Sequence, residues 1–212
     1  MASTPNLTGQ YGRPYNAGIM PRPSHREKIL SEGLRVVHER GFGGASVRDI
    51  VQAAGVPQGS FTNHFASKEA FGLEVVDLYF ANSREMIRDT LCNDTLPPLE
   101  RLRDYIDSNL EHISQNDSKN GCLFGNFAIE ASDHSELIRV RVVEIFAEVQ
   151  KCVAYCLGAA IEAGELPSSI DCDEVARFVV SSLQGAILLA KAQRSPVPVE
   201  TFRDLLFSMV LR

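Results

Sequence analysis

The stretch Ser46–Phe65, SVRDIVQAAGVPQGSFTNHF, decides how this chain is read. A short helix starts at Ser46-Val47-Arg48-Asp49, carries Ile50, Val51 and Ala54 on one side, and stops at Gly55. After Val56-Pro57 a second short helix is expected over about Gln58–His64. The two are joined by a tight turn at Ala54-Gly55-Val56, where a glycine supplies the backbone conformation. Ile50, Ala54, Val56, Phe61 and Phe65 are the residues that would hold this pair against a preceding helix. That leaves Gln58, Gly59, Ser60, Thr62, Asn63 and His64 on the outside, short and polar with no acid among them. A helix with such a surface fits a DNA major groove, reaching base edges and phosphates.

Upstream, Ser24-His25-Arg26-Glu27 reads as a capping box, and Ile29, Leu30, Gly33, Leu34 and Val37 follow at helical spacing up to Gly41. Residues 1–23 are polar, hold four prolines, and are expected to be a flexible arm. Downstream, Ser67-Lys68-Glu69 opens a long helix through about Leu91, and Pro97-Pro98 starts another reaching Gln115. Asn116–Gly121 is a break, and Leu123–Ala131 a short apolar segment. Ser132-Asp133 is read as the cap of a helix running to Gly164. Asp171 with Glu174 opens a very apolar helix to Arg194, and the last helix is expected over Val199–Leu211. The chain shows neither an alternating strand pattern of useful length nor an internal repeat, so the fold class is all-α.

The chain has 212 residues, enough to bury a full core. Its net charge of -6 argues against a non-specific nucleic-acid coat, but the charge is unevenly placed. Residues 1–70 hold 8 Lys/Arg against 5 Asp/Glu, a balance of +3, while residues 71–212 hold 13 against 22, a balance of -9. A basic end on an acidic body suits a local electrostatic footprint for DNA. Five cysteines, an odd number, fit free thiols in a cytoplasmic protein. No run is expected to reach the ~20 apolar residues of a membrane span. The residues offer no Walker loop, dinucleotide glycine motif, nucleophile elbow or metal-spaced set, so neither an enzyme nor a cofactor is expected. Cys152 and Cys156 share a helix face and read as core rather than as metal ligands.

The segment from residue 24 to 72 resembles the DNA-binding domain of the TetR family of bacterial transcriptional regulators. The matching residues are Ser46, Ile50, Ala54-Gly55-Val56, Gly59, Phe61, His64-Phe65 and Lys68-Glu69, with Arg40-Gly41-Phe42 ahead of them. The family usually has Tyr, a phosphate contact, where this chain has Thr62. The resemblance implies a helix-turn-helix domain over residues 24–70 and a ligand-sensing and dimerising helical bundle over 71–212. With the outward set above, Arg26, Ser46, Arg48 and Lys68 are the expected DNA-facing residues; Lys68 could also be simply a solvated lysine. The implied partners are a palindromic double-stranded operator, a second copy of the chain, and a small-molecule effector that releases a repressor. A helical adaptor that binds no DNA is the competing class.

For the sensor body, Phe80, Phe124 and Phe127, with Tyr79, Phe146, Tyr155 and Phe178, are candidate pocket aromatics, and Asn126, Gln150 and Gln184 candidate polar handles. The same aromatics also suit plain core. Gly121-Cys122-Leu123 resembles a segment of the electrophile-sensing, N-ethylmaleimide-responsive repressors within the family, where the matching cysteine is reactive. A helix N-terminus at Cys122 would lower its pKa and sharpen it as a nucleophile; a buried core cysteine is the other reading. The effector class is thus apolar or electrophilic. Phe178, Ser182, Gly185, Ala186 and Leu189 are the expected dimer contacts on a helix apolar nearly all round.

Overall fold

A computed structural model describes residues 24–115 and 118–211. The proposed N-terminal arm lies outside the described residues. Among the described residues all regular structure is helical: α1 (His25–Arg40), α2 (Val47–Ala53), α3 (Ser60–His64), α4 (Lys68–Asp89), α5 (Pro98–Ser114), α6 (Leu123–Glu130), α7 (Glu136–Glu162), α8 (Cys172–Gln193) and α9 (Val197–Leu205). A π-helical turn over Leu206–Val210 follows α9.

Helix α1 starts at the capping box read from the sequence. The Ser24 hydroxyl accepts from the Glu27 amide at 3.3 Å, and the Glu27 carboxylate accepts from the Ser24 amide at 2.7 Å. Ser46 and Asp49 repeat the device at α2, so each helix has two of its orphan N–H groups satisfied. Gly55 has φ +63 and turns the chain toward α3. Helix α3 is only five residues long; Phe61 on its inner side and Phe65 at its C-cap pack against Phe71 of α4, tilted and edge-on, with centroids 5.3 and 5.1 Å apart. Helix α1 lies close against α4: a β-carbon at Gly33 would come within 2.4 Å of the Phe71 ring.

The remaining helices form a bundle in which α7 packs against α4, α5, α6 and α8, and α8 against α9. Ile138, Val142, Ile145, Val149 and Val153 of α7 recur at three- and four-residue spacing and are buried, the pattern of a helix at the centre of its neighbours. Helix α6 bridges the two parts. Its Phe127 packs on Phe42 of the α1–α2 loop with centroids 5.0 Å apart, and Glu130 at its end accepts from the Gly43 amide at 2.9 Å.

Several expected boundaries shift. Helix α3 begins at Ser60, not Gln58, because Gln58 and Gly59 form a turn in which the Ser60 amide donates to the Pro57 carbonyl. Helix α7 is capped by Ser135 rather than Ser132-Asp133, since residues 131–134 complete a turn off α6 first. Helix α9 starts two residues early, at Val197. Pro198 lies in its first turn, where a missing N–H costs nothing. Helix α8 is long and apolar enough to cross a membrane by length and composition alone, the one such helix among the described residues. Here it packs into the bundle, with its charges gathered near its ends at Asp173, Glu174, Arg177 and Lys191.

Candidate functional site

Two regions carry the candidate residues: the outer surface of α2–α3 and the interior of the bundle. On the first, Gln58, Gly59, Thr62, Asn63 and His64 are exposed together, with no acid among them. The Thr62 hydroxyl donates to the Gly59 carbonyl at 3.1 Å, a bond within its own helix that leaves its lone pairs free. Ser60 is a correction. It is only 8% exposed, because it opens the helix one position before Phe61 and turns inward with it.

The nearby polar residues divide by what they already hold. Arg48 is exposed, with no carboxylate within 4 Å among the described residues. Arg26 is paired with Glu74 of α4, and its guanidinium lies 5.3 Å over the Phe65 ring. The Ser46 side chain is spent on the α2 cap. Lys68 is half-buried with its ammonium 4.9 Å above the Phe42 ring, and burial pulls its pKa down despite the Glu130 carboxylate.

In the bundle, a cavity of about 430 Å³ lies between α6, α7 and α8. A second, of about 320 Å³, lies between α4, α5, α7 and α8. Cys122, Phe146, Val180 and Gln184 line both and separate them. Of the expected ligand residues, Cys122, Asn126, Gln150 and Gln184 line the first chamber, and Phe124 the second. Tyr79 also lines the second, its ring 4.9 Å from that of Phe124, and burial raises its phenol pKa.

Phe80 and Phe127 do not belong to the pocket. Phe80 is buried edge-on to Phe124 with the Arg84 guanidinium 4.5 Å over its ring, and Phe127 turns toward Phe42. Tyr155 points outward and donates to Asp94 at 2.9 Å. Sequence reasoning missed Lys191, whose ammonium donates to the Asn126 side-chain carbonyl at 3.0 Å inside the chamber's lining. The signal was present: Lys191 closes the long uncharged run of α8.

Cys122 is the N-cap of α6, as expected, but its pKa moves the other way. Burial raises it, outweighing the Phe124 and Gly125 amides and the Gln184 side chain that favour the thiolate. Cys156 is buried and its thiol donates to the Pro98 carbonyl at 3.0 Å, with its pKa pushed up to about 11 by burial. No group of three or more candidate metal ligands occurs among the described residues.

Beside Cys122 the bundle meets α1. His38 Nε2 donates to the Gly121 carbonyl at 2.9 Å. The ring stacks near His112 of α5 and edges onto Tyr79, and burial holds its pKa below the usual value.

On α8 the outward stripe is Phe178, 47% exposed, then Ser182, Gly185 and Leu189, the last 52% exposed. Ala186 is a correction: it lies with Val179, Leu183 and Ala190 on the inward stripe, buried by its own bundle. Leu188, beside the outward stripe, is half-exposed at the rim of the first chamber, and Leu205 and Met209 near the C-terminus are likewise exposed.

Known proteins share this architecture. The family model described as bacterial regulatory proteins, tetR family, matches residues 29–75. The tetracyclin repressor-like C-terminal domain matches residues 98–206. The HTH-type transcriptional repressor DhaR of Mycobacterium sp. (strain GP1) is 36% identical over 192 residues, covering 91% of this chain and 95% of that protein. A crystal structure of a regulatory protein TetR from Rhodobacter sphaeroides superposes with a TM-score of 0.81 at 28% identity, over 85% of this chain and 95% of that one. Reduced NemR of E. coli gives 0.76 at 28% identity, over 86% and 95%. The chain belongs to the TetR family of bacterial transcriptional regulators.

Proposed function

We propose that this protein is a repressor that grips a palindromic operator as a homodimer and lets go when a small molecule enters the cavity beneath α6. The observation that carries the DNA reading is the outer face of α3. Gln58, Gly59, Thr62, Asn63 and His64 stand exposed and acid-free over an apolar underside fixed by Phe61, Phe65 and Phe71. Asn63 and Gln58 are suited to base edges, and Thr62, His64 and Arg48 to phosphates or bases. Ser60 and Ser46 would act only by holding the helices. Arg26 and Lys68 would reach phosphate only by loosening their present contacts.

The stripe Phe178, Ser182, Gly185 and Leu189 supports pairing with a second copy through α8. A two-fold pair would set two α3 helices about 34 Å apart, one turn of DNA.

Release follows from the position of α6. One side of its start, Cys122 to Asn126, lines the chamber, and its end holds the α1–α2 loop through Glu130 and Phe127. A ligand that shifts α6 therefore moves both α3 helices. A coupling of about 1–3 kcal/mol would change operator affinity roughly 5- to 150-fold.

The test is fluorescence anisotropy with DNA from upstream of the protein's own gene, a scrambled duplex as control, and two salt concentrations. Specific binding that weakens steeply with salt is expected. Equal affinity for the scrambled duplex would refute the DNA reading.

A further inference from the structure

The chamber between α6, α7 and α8 is walled mainly by carbon: Ala128, Ile129, Phe146, Val180, Ile187 and Leu188. Its polar groups are neutral, the amides of Asn126, Gln150 and Gln184, the Ser181 hydroxyl and the Cys122 thiol, with one exception. Among the described residues Lys191 is the single cation in that lining, and no acidic side chain lines it. Among the described residues no carboxylate lies within 4 Å of the Lys191 ammonium. Its partner is the neutral Asn126 side-chain carbonyl at 3.0 Å, and the Asn126 amide is in turn held by the Asn120 carbonyl at 3.0 Å.

An ammonium has three donors and a full charge, and one neutral acceptor satisfies only part of that. The deficit is pointed, because residues 71–212 carry nine more acids than bases. On the same body Arg84, Arg139, Arg141 and Arg203 each meet a carboxylate within 4 Å; Arg103, Lys151, Arg177 and Arg194 meet none among the described residues, and what sets Lys191 apart from them is its place in the chamber lining. An apolar cavity whose one charge is a positive group lacking an acid is complementary to an apolar molecule with one anionic end.

We propose that this chamber binds a compact apolar monocarboxylate, its carboxylate paired with Lys191 and its hydrocarbon part against Ile129, Phe146, Ile187 and Leu188. This rests on the reading of the chamber as the effector site and adds the ligand's chemistry. The headgroup position also suits a signal. The Lys191 stem packs over Gly121, where a β-carbon would lie 3.0 Å from the lysine's Cδ. Gly121 passes its carbonyl to His38 of α1. A carboxylate that draws Lys191 from Asn126 therefore disturbs the residue on which α1 hangs.

Isothermal titration calorimetry on the full-length protein without DNA tests the proposal, with hexanoate, octanoate and phenylacetate as probes and their primary amides as uncharged counterparts. At least one acid is expected to bind about tenfold or more tightly than its amide, a difference of about 1.4 kcal/mol. Lys191→Met should bring that acid down to its amide and leave the amide unchanged, and Lys191→Arg should retain the preference. An unchanged melting temperature in both variants shows that they fold. Equal binding of every acid and amide, a preference that survives Lys191→Met, or no binding by any acid up to about 10 mM each overturns the proposal.

The same probes added to the upstream-DNA complex separate the two claims. Acids that bind through Lys191 without releasing DNA would leave the ligand class standing and refute the release mechanism. Release by the neutral amides alone would do the reverse.

Discussion

Gly121 stands at the junction of chamber, α1 and α8, and its replacement by alanine has a calculable cost. Its φ is +67, in the left-handed region. An L-residue with a β-carbon pays roughly 1–2 kcal/mol there. The usual gain of Gly→Ala through the unfolded chain applies only where the native backbone accepts alanine, so it does not offset this cost. The new methyl would meet Lys191 Cδ at 3.0 Å. That contact is relieved cheaply, because the lysine stem is flexible. The backbone term therefore dominates, and the net destabilisation is about 1–2 kcal/mol. For a chain of this size each kcal/mol moves the melting temperature by about 2–4 °C, so a fall of roughly 2–8 °C is expected. Gly121→Asn is the control, since asparagine enters the left-handed region more readily and should lose less. Thermal unfolding followed by circular dichroism measures both. An alanine variant as stable as the parent, or one more stable than the asparagine variant, would refute the reasoning.

Three further outcomes follow from the geometry. Asn63→Ala removes a side chain from the exposed face of α3 and should weaken binding to the upstream DNA by about 1–3 kcal/mol, with an unchanged melting temperature, as read by anisotropy and calorimetry. Lowering the pH from 7.5 to 5.5 should destabilise the protein through His38. Burial holds the folded ring's pKa below 6.5 against the Gly121 carbonyl and Glu39, with His112 and Lys191 adding to the fall. The unfolded ring therefore takes up a proton that the folded one resists, and stability is lost as the pH drops through 6.5 toward the folded value; His38→Gln, which still donates to Gly121 but does not titrate, should show a smaller fall in melting temperature. N-ethylmaleimide at neutral pH should label exposed Cys92 before Cys122, whose thiol is raised in pKa by burial, and peptide mass spectrometry that finds Cys122 labelled first would restore it as a reactive group.

The DNA-binding end was legible in the sequence because its signals are local. Two capping boxes, a turn glycine and the Phe61–Phe65 spacing are each set within a few residues, and each has its counterpart in the fold. Ser60 was misplaced because the onset of a five-residue helix decides which way its first residue turns, and that onset is fixed by a turn at Pro57. The pocket was less legible for a different reason. Whether Phe124 or Phe127 faces a cavity depends on how α6 is rotated against α4 and the α1–α2 loop, which no spacing within α6 reports. The two faces of α8 show the same limit: Gly185 and Ala186 are neighbours of similar size, yet one faces out and the other in. Lys191 was overlooked because a lysine at a helix C-terminus has a sufficient local explanation in the helix dipole; only the fold shows that it borders a chamber without an acid.

Hydroxyl-radical footprinting of the DNA upstream of the gene tests the central claim most directly. The account predicts two protected patches related by two-fold symmetry, with centres about 34 Å or a multiple of it apart, and their loss in the Asn63→Ala variant at the same protein concentration. A single unsymmetrical patch, uniform protection along the duplex, or a pattern indifferent to Asn63 would contradict it.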